Sequence, residues 1–242
     1  MLRKPQTSNL KPQIFCFITV GIIVASASSL AAAYQISPSP NYSTITVDDS
    51  SAENWLEPFD NYGDVEISAS GKLVTYGWLN NYSNLINYGS LEIERAELIS
   101  DPYSPGEVYR YNGSVKNFSM LTNYGVLTNH YSFTSTGNLI NYGSYINSSI
   151  SGSLSNSNTV TNYGYVENHG TLAQTSTGIF YNYGTVDNFQ SPYYGDGWVS
   201  IMGGDLFNRG IFYNFGTLNN PWVRNQSTGV IVTGKQIGRA HV

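Results

Sequence analysis

One triplet dominates this chain. Asn-Tyr-Gly occurs at Asn61, Asn87, Asn123, Asn141, Asn162 and Asn182, and Asn-Phe-Gly at Asn214. Near-copies stand at Asn81-Tyr82-Ser83, Asn117-Phe118-Ser119, Asn168-His169-Gly170 and Asn208-Arg209-Gly210. Asn117, Asn123 and Asn129 step by six, as do Asn156, Asn162 and Asn168, and Asn208, Asn214 and Asn220. The unit is Asn-x-Gly-x-(Leu/Val/Ile/Phe)-x, seen in NYGVLT from Asn123, NYGYVE from Asn162 and NFGTLN from Asn214. A longer period overlies it: the step is 18 residues from Asn123 to Asn141, 21 to Asn162 and 20 to Asn182.

A hexad holds one large apolar residue and cannot bury it alone. Three short strands and three turns in roughly 20 residues describe one rung of a β-helix. Stacked rungs about 4.8 Å apart pair each strand with those above and below. The fold class expected is therefore all-β, a parallel β-helix (β-solenoid) with rungs of about 18–21 residues, the right-handed coil favoured. Asn tolerates the left-handed region, and Gly is read as allowing a turn with positive φ. Repeated Asn at one corner is expected to form an amide ladder along the axis. The core predicted is Val65, Leu85, Leu91, Val115, Leu121, Leu127, Leu139, Val160, Val166, Leu172, Ile179, Val186, Phe212 and Leu218. After Asn141 the core slot holds Tyr145. Two alternatives are a low-complexity linker, which has no reason to keep Leu or Val in phase, and an antiparallel sandwich with Asn-x-Gly at hairpin turns.

The flanks read differently. Met1–Gln13 carries Arg3, Lys4 and Lys11 and no acid, Ile14–Val24 is apolar, and small residues end at Ala31-Ala32-Ala33. That order is a secretory signal peptide, residues 1–33, rather than an uncleaved anchor, because the apolar run is short. The only cysteine, Cys16, lies inside it, so the exported chain holds itself together without disulfides. Removing the leader's three basic residues from eleven leaves eight against sixteen acids, a net of −8. No basic patch for nucleic acid follows from that balance, and no membrane span is expected in the mature chain. Residues 34–60 read as an N-terminal cap and 61–235 as solenoid repeats. Glu92–Glu107 and Gln190–Gly204 read as insertions. One codon choice for Gln236–Val242 (QIGRAHV) spells a run that looks like a common short-read sequencing adapter. Residues 236–242 are expected to be read-through, with the natural chain continuing past Lys235.

From Asn61 to Thr233 the Asn-x-Gly-x-apolar units behind an exported leader resemble the β-helical stalks of filamentous haemagglutinin-like adhesins and autotransporter passengers. They are also similar to the Asn-Tyr-Gly repeat regions of exported bacterial surface proteins. The resemblance implies a secreted, extracellular or cell-surface structural or adhesive role and carries over no catalytic residue.

The chemistry-bearing residues are few. β-Helices also include polysaccharide lyases and glycoside hydrolases, which need clustered acids or bases in one groove. Between Val108 and Val160 there is no acid, and Glu167, Asp187, Asp196 and Asp205 read as scattered. The expectation is a non-catalytic protein without cofactor or metal, since His130, His169 and His241 form no ligand set. A carbohydrate-active β-helix enzyme is the alternative. Tyr193, Tyr194, Asp196 and Trp198 form a weak sugar-site candidate against the plainer reading of an aromatic loop. Tyr62, Tyr88, Tyr124, Tyr142, Tyr163 and Tyr183 are three positions from the core slot, hence on the opposite face. They are either an outer stripe for glycans or surface proteins, or a self-stacked corner. The partners expected are such glycans or proteins, with self-association through open solenoid ends.

Overall fold

The computed structural model describes residues 34–36, 39–48, 51–54, 58–94, 99–100, 108–109, 112–148, 151–175, 177–189, 198–201, 204–218 and 223–233, with backbone alone at 34–35, 51–54, 99–100, 108–109, 198–201 and 217–218. The hexad sets the local structure. Four residues make a strand with alternating burial, as in Ser144–Asn147, Thr159–Asn162 and Tyr165–Asn168. Positions two and four point inward and carry the apolar residue and the Asn. Tyr-Gly then turns the corner. The signal is period two within the strand and six along the chain, so every third strand meets its own kind one rung later.

Three parallel sheets result. One has ten strands, from Tyr34–Gln35 to Val230–Thr233. A second has nine, from Ile45–Val47 to Val223–Asn225, and the third has eight, from Phe59–Asn61 to Thr217–Leu218. The chain is a parallel β-solenoid in which each rung adds one strand to each sheet, and no helix occurs among the described residues. Register is kept residue for residue: Leu121 opposes Leu139, and Leu127 opposes Tyr145. Most rungs take 18 to 21 residues, but Asn87 to Asn123 takes 36 and Asn182 to Asn208 takes 26. Inside the longer step, Ile99–Ser100 pairs antiparallel with Val108–Tyr109. Glu92 still lies in a rung, opposite Thr128. Trp198–Ile201 pairs with Thr171–Gln174 in the eight-stranded sheet.

The core is a column of large apolar residues, three to a rung. Leu121, Leu127 and Phe133 fill one rung, and Leu139, Tyr145 and Leu154 the next. Twelve of the fourteen predicted core positions are buried. Ile179 is a correction: Phe180 is buried in its place, opposite Val160. The chain takes three residues between the inward Gln174 and Gly178, against one between Asn123 and Gly125, and what stays constant is the inward residue two after the Gly, as in Gly125 to Leu127 and Gly178 to Phe180. Leu218 pairs with Val199 through its backbone, and its side chain lies outside the described residues.

The glycines require a second correction. Gly143 and Gly164 do not have the positive φ expected of them. A Cβ on Gly143 would collide with the carbonyl oxygen of Gly125, and one on Gly164 with that of Gly143. Glycine stands at this corner because the backbones of successive rungs approach too closely for any side chain.

Candidate functional site: the corner columns

The fourth strand residue brings an amide into a dry interior, where an unpaired polar group is costly. Stacking resolves this. Asn141 Nδ2 donates to Asn162 Oδ1 at 2.8 Å, to Gly143 O at 3.1 Å and to Tyr165 O at 2.9 Å. The same bonds run through Asn87, Asn123, Asn141, Asn162, Asn182, Asn208 and Asn225. A single ladder was expected; three corners carry one each. The second runs Asn129, Asn147, Asn168, with Asn188 bonding Asn214. The third runs Asn41, Asn61, Asn81, Asn117, where Ser135 then accepts with its hydroxyl. Ladder ends are the weak points: Asn87 Oδ1 is buried without a hydrogen-bond partner, below Ile67 in the preceding strand.

The residue after each Asn points outward. Tyr88, Tyr124, Tyr142, Tyr163 and Tyr183 form one stack, with successive ring centroids 4.9 to 5.0 Å apart and planes within 12°. Tyr62 belongs to another corner, between Tyr42 and Tyr82, with Phe118 beyond. The stripe read from sequence is thus two columns, five tyrosines in one and Tyr62 in the other. His169 and Phe189 begin a third stack, 4.6 Å apart. The rings are exposed by roughly half, Tyr163 by 49%. What they expose is edges and hydroxyls. Each inner face is already covered by the next ring, so a flat sugar has no ring face to lie on. Of the second candidate, Tyr193, Tyr194 and Asp196 lie outside the described residues, as does the Trp198 side chain.

Two further groups arise only from stacking. Glu167 and Asp187, read as scattered, are register partners on adjacent strands of the ten-stranded sheet. Tyr165 Oη donates to Asp187 Oδ2 at 2.8 Å and lies 3.4 Å from Glu167 Oε2. Glu167 Oε1 is 2.7 Å from His169 Nε2. Partial burial, then the two carboxylates, push the Tyr165 phenol well above its usual range, so it acts here as a donor. Asp187 Oδ1 is buried and unpartnered. Asp205 stands on a different sheet, opposite Ile179.

At the neighbouring corner, His130 Nδ1 is 2.6 Å from Ser148 Oγ, and its Nε2 is 3.5 Å from Glu94 Oε1. A hydroxyl, an imidazole and a carboxylate in line is a nucleophile arrangement. The nearby backbone donors are already engaged: Ser148 N by Asn129 O, His169 N by Asn147 O and Gly170 N by Asn168 Oδ1. Sequence alone did not show this trio, because its members are separated by 36 and 18 residues. Among the described residues no group of three or more His, Cys, Asp or Glu converges as a metal site, and no helix is long and apolar enough to cross a membrane.

No protein-family model matches this chain, and neither the curated proteins nor the solved structures give a match.

Proposed function

We propose that this chain is a secreted or surface-exposed repeat protein with a structural, adhesive role, non-catalytic along its solenoid. One observation carries the reading: the whole repeat is consumed by rung-to-rung support. The apolar residue fills the core, Asn satisfies the corner, Gly permits close approach, and the aromatic ring stacks on its own neighbours. A motif spent on self-support builds a scaffold that presents whatever is attached to it. The basic, apolar, Ala-x-Ala leader supports export. The test is to express the full chain in a bacterium and shave intact cells with protease. The expected result is release of a chain beginning near Tyr34. Retention in the cytoplasm with the leader uncut would reject it.

A second reading, a carbohydrate-active β-helix, draws on the Glu167–Asp187 pair with Tyr165 between them. It requires the full chain to cleave at least one member of a polysaccharide panel, with loss of cleavage in E167Q and D187N. Absence of new chain ends removes it.

A further inference from the structure

The repeat departs from its own rule once in charge. Among the Asn-x-Gly copies, Asn208-Arg209-Gly210 places a cation where the others place an aromatic ring or imidazole. Its surroundings form a second departure. Tyr181, Phe207 and Arg224 are register partners on three successive strands of the nine-stranded sheet. Tyr183, Arg209 and Gln226 occupy the outward corner position after Asn182, Asn208 and Asn225. The two columns run side by side, and both change from aromatic to polar or cationic in the same direction along the axis.

Stacking fixes both guanidinium groups. Arg224 lies 5.3 Å over the Phe207 ring, which stacks on Tyr181 at 5.1 Å. Arg209 lies 5.7 Å over Tyr183, and its Nε donates to Gln226 Oε1. A guanidinium over an aromatic ring keeps N–H groups available to a carboxylate. Between the columns lies a shallow cleft of about 260 Å³, lined by Tyr181, Tyr183, Phe207, Arg209 and Gln226. Of the four described Lys and Arg residues in this acidic chain, two stand on these adjacent columns: Arg209 lines the cleft, and Arg224 lies beside it over the Phe207 wall. Lys72 is paired with Glu92 at 2.8 Å. Arg224 has a longer, exposed ion pair with Asp205, at 3.9 Å.

We propose that this cleft binds a carboxylated sugar residue of an acidic polysaccharide. Arg209, which lines the cleft, takes the carboxylate, and Arg224 beside it adds positive charge. The Tyr181 and Tyr183 hydroxyls and the Gln226 amide offer partners for ring hydroxyls. The cleft is shallow and lined by hydroxyl, amide and guanidinium groups beside aromatic rings, which suits a hydrated glycan residue. The site goes beyond the scaffold reading and does not rest on export, so either one can fail alone.

The test is affinity electrophoresis of the full chain through gels containing polygalacturonate, neutral dextran or dextran sulfate. Retardation by polygalacturonate alone is expected, weakened about tenfold in R209Q, the loss of one charge-assisted pair, and less in R224Q, which removes only neighbouring positive charge. R209K combined with R224K keeps the charge and should recover only part of the binding, while K116Q should bind as the parent does. Both arginines are exposed, and circular dichroism verifies that the variants fold. No retardation by polygalacturonate, equal retardation by dextran sulfate, or undiminished binding by R209Q with R224Q would each overturn the site.

Discussion

A buried asparagine in this protein is worth what its neighbours give it. Asn141 receives a bond from Asn123 and donates to Asn162, Gly143 and Tyr165. Truncation to Ala orphans groups on both sides, and each buried orphan costs about 1–3 kcal/mol. Asn87 starts its ladder with an oxygen that is already unpartnered, so its removal orphans fewer groups. Asn141→Ala is therefore expected to lower the urea midpoint clearly more than Asn87→Ala, and equal shifts would contradict the ladder energetics. Phase can be tested in the same way. Val166 is 3% exposed and Tyr163 49%. Val166→Asp should cost more than about 4 kcal/mol, an unpaired charge among stacked rungs. Tyr163→Asp should cost much less, and similar losses would mean that inside and outside are misassigned.

Tyr145 adds a pH dependence. Full burial holds its phenol protonated well above the ordinary 10.0, with the bond from Asn129 acting weakly the other way. The unfolded chain releases that proton near its ordinary value and the folded chain keeps it. Above that value the unfolded state binds fewer protons, so this contribution is complete below about pH 10 and is lost as pH rises further. Tyr145→Phe should flatten part of the alkaline loss, measured as the difference between urea midpoints at about pH 8 and about pH 11. Parallel curves for the two proteins would sink this account.

Among elements, the aromatic columns couple rungs from outside as the ladders couple them from inside. Tyr142 stacks on Tyr124 and Tyr163, whereas Tyr88 has one ring neighbour in its column, Tyr124. With each aromatic pair worth about 0.5–1.5 kcal/mol, Tyr142→Ala should cost about twice as much as Tyr88→Ala in thermal unfolding. A loss at neither site would show the stack to be passive. The rings of the tyrosine stripe do stack on one another along their column. Which tyrosines share a column was not legible from the triplet alone. It depends on corner lengths, so Asn61 and Asn87, 26 residues apart, stand one rung plus one corner from each other.

The molecule as a whole is a ladder with edges. Val230–Thr233 pairs with Ile211–Asn214 on one side, and Val230 and Val232 are 50% and 40% exposed. Among the described residues no strand pairs its far edge, and an apolar, uncharged edge strand recruits other chains. A chain of these 242 residues is expected to associate with rising concentration in sedimentation velocity, and Val232→Lys should reduce that association. Association unaffected by this change would place the contact elsewhere.

By itself the sequence determined the rung. A six-residue period with one apolar and one Asn position admits a strand, a corner and a stacked repeat, because only stacking buries both at once. Core residues such as Leu121, Leu127 and Val166 followed from that phase. Tertiary structure decided whatever depends on the length of a particular turn of the coil. Rungs of 18, 20 and 17 residues bring His130 to Ser148, Glu167 to Asp187 and Arg209 to Gln226, and the 36-residue rung brings Glu94 to His130. The longer connection between Gln174 and Gly178 turns Phe180 inward and leaves Ile179 half-buried. The glycine is the clearest case. Its place in the triplet is visible in the chain, but its reason is the carbonyl of the rung before, which exists only once the rungs are stacked.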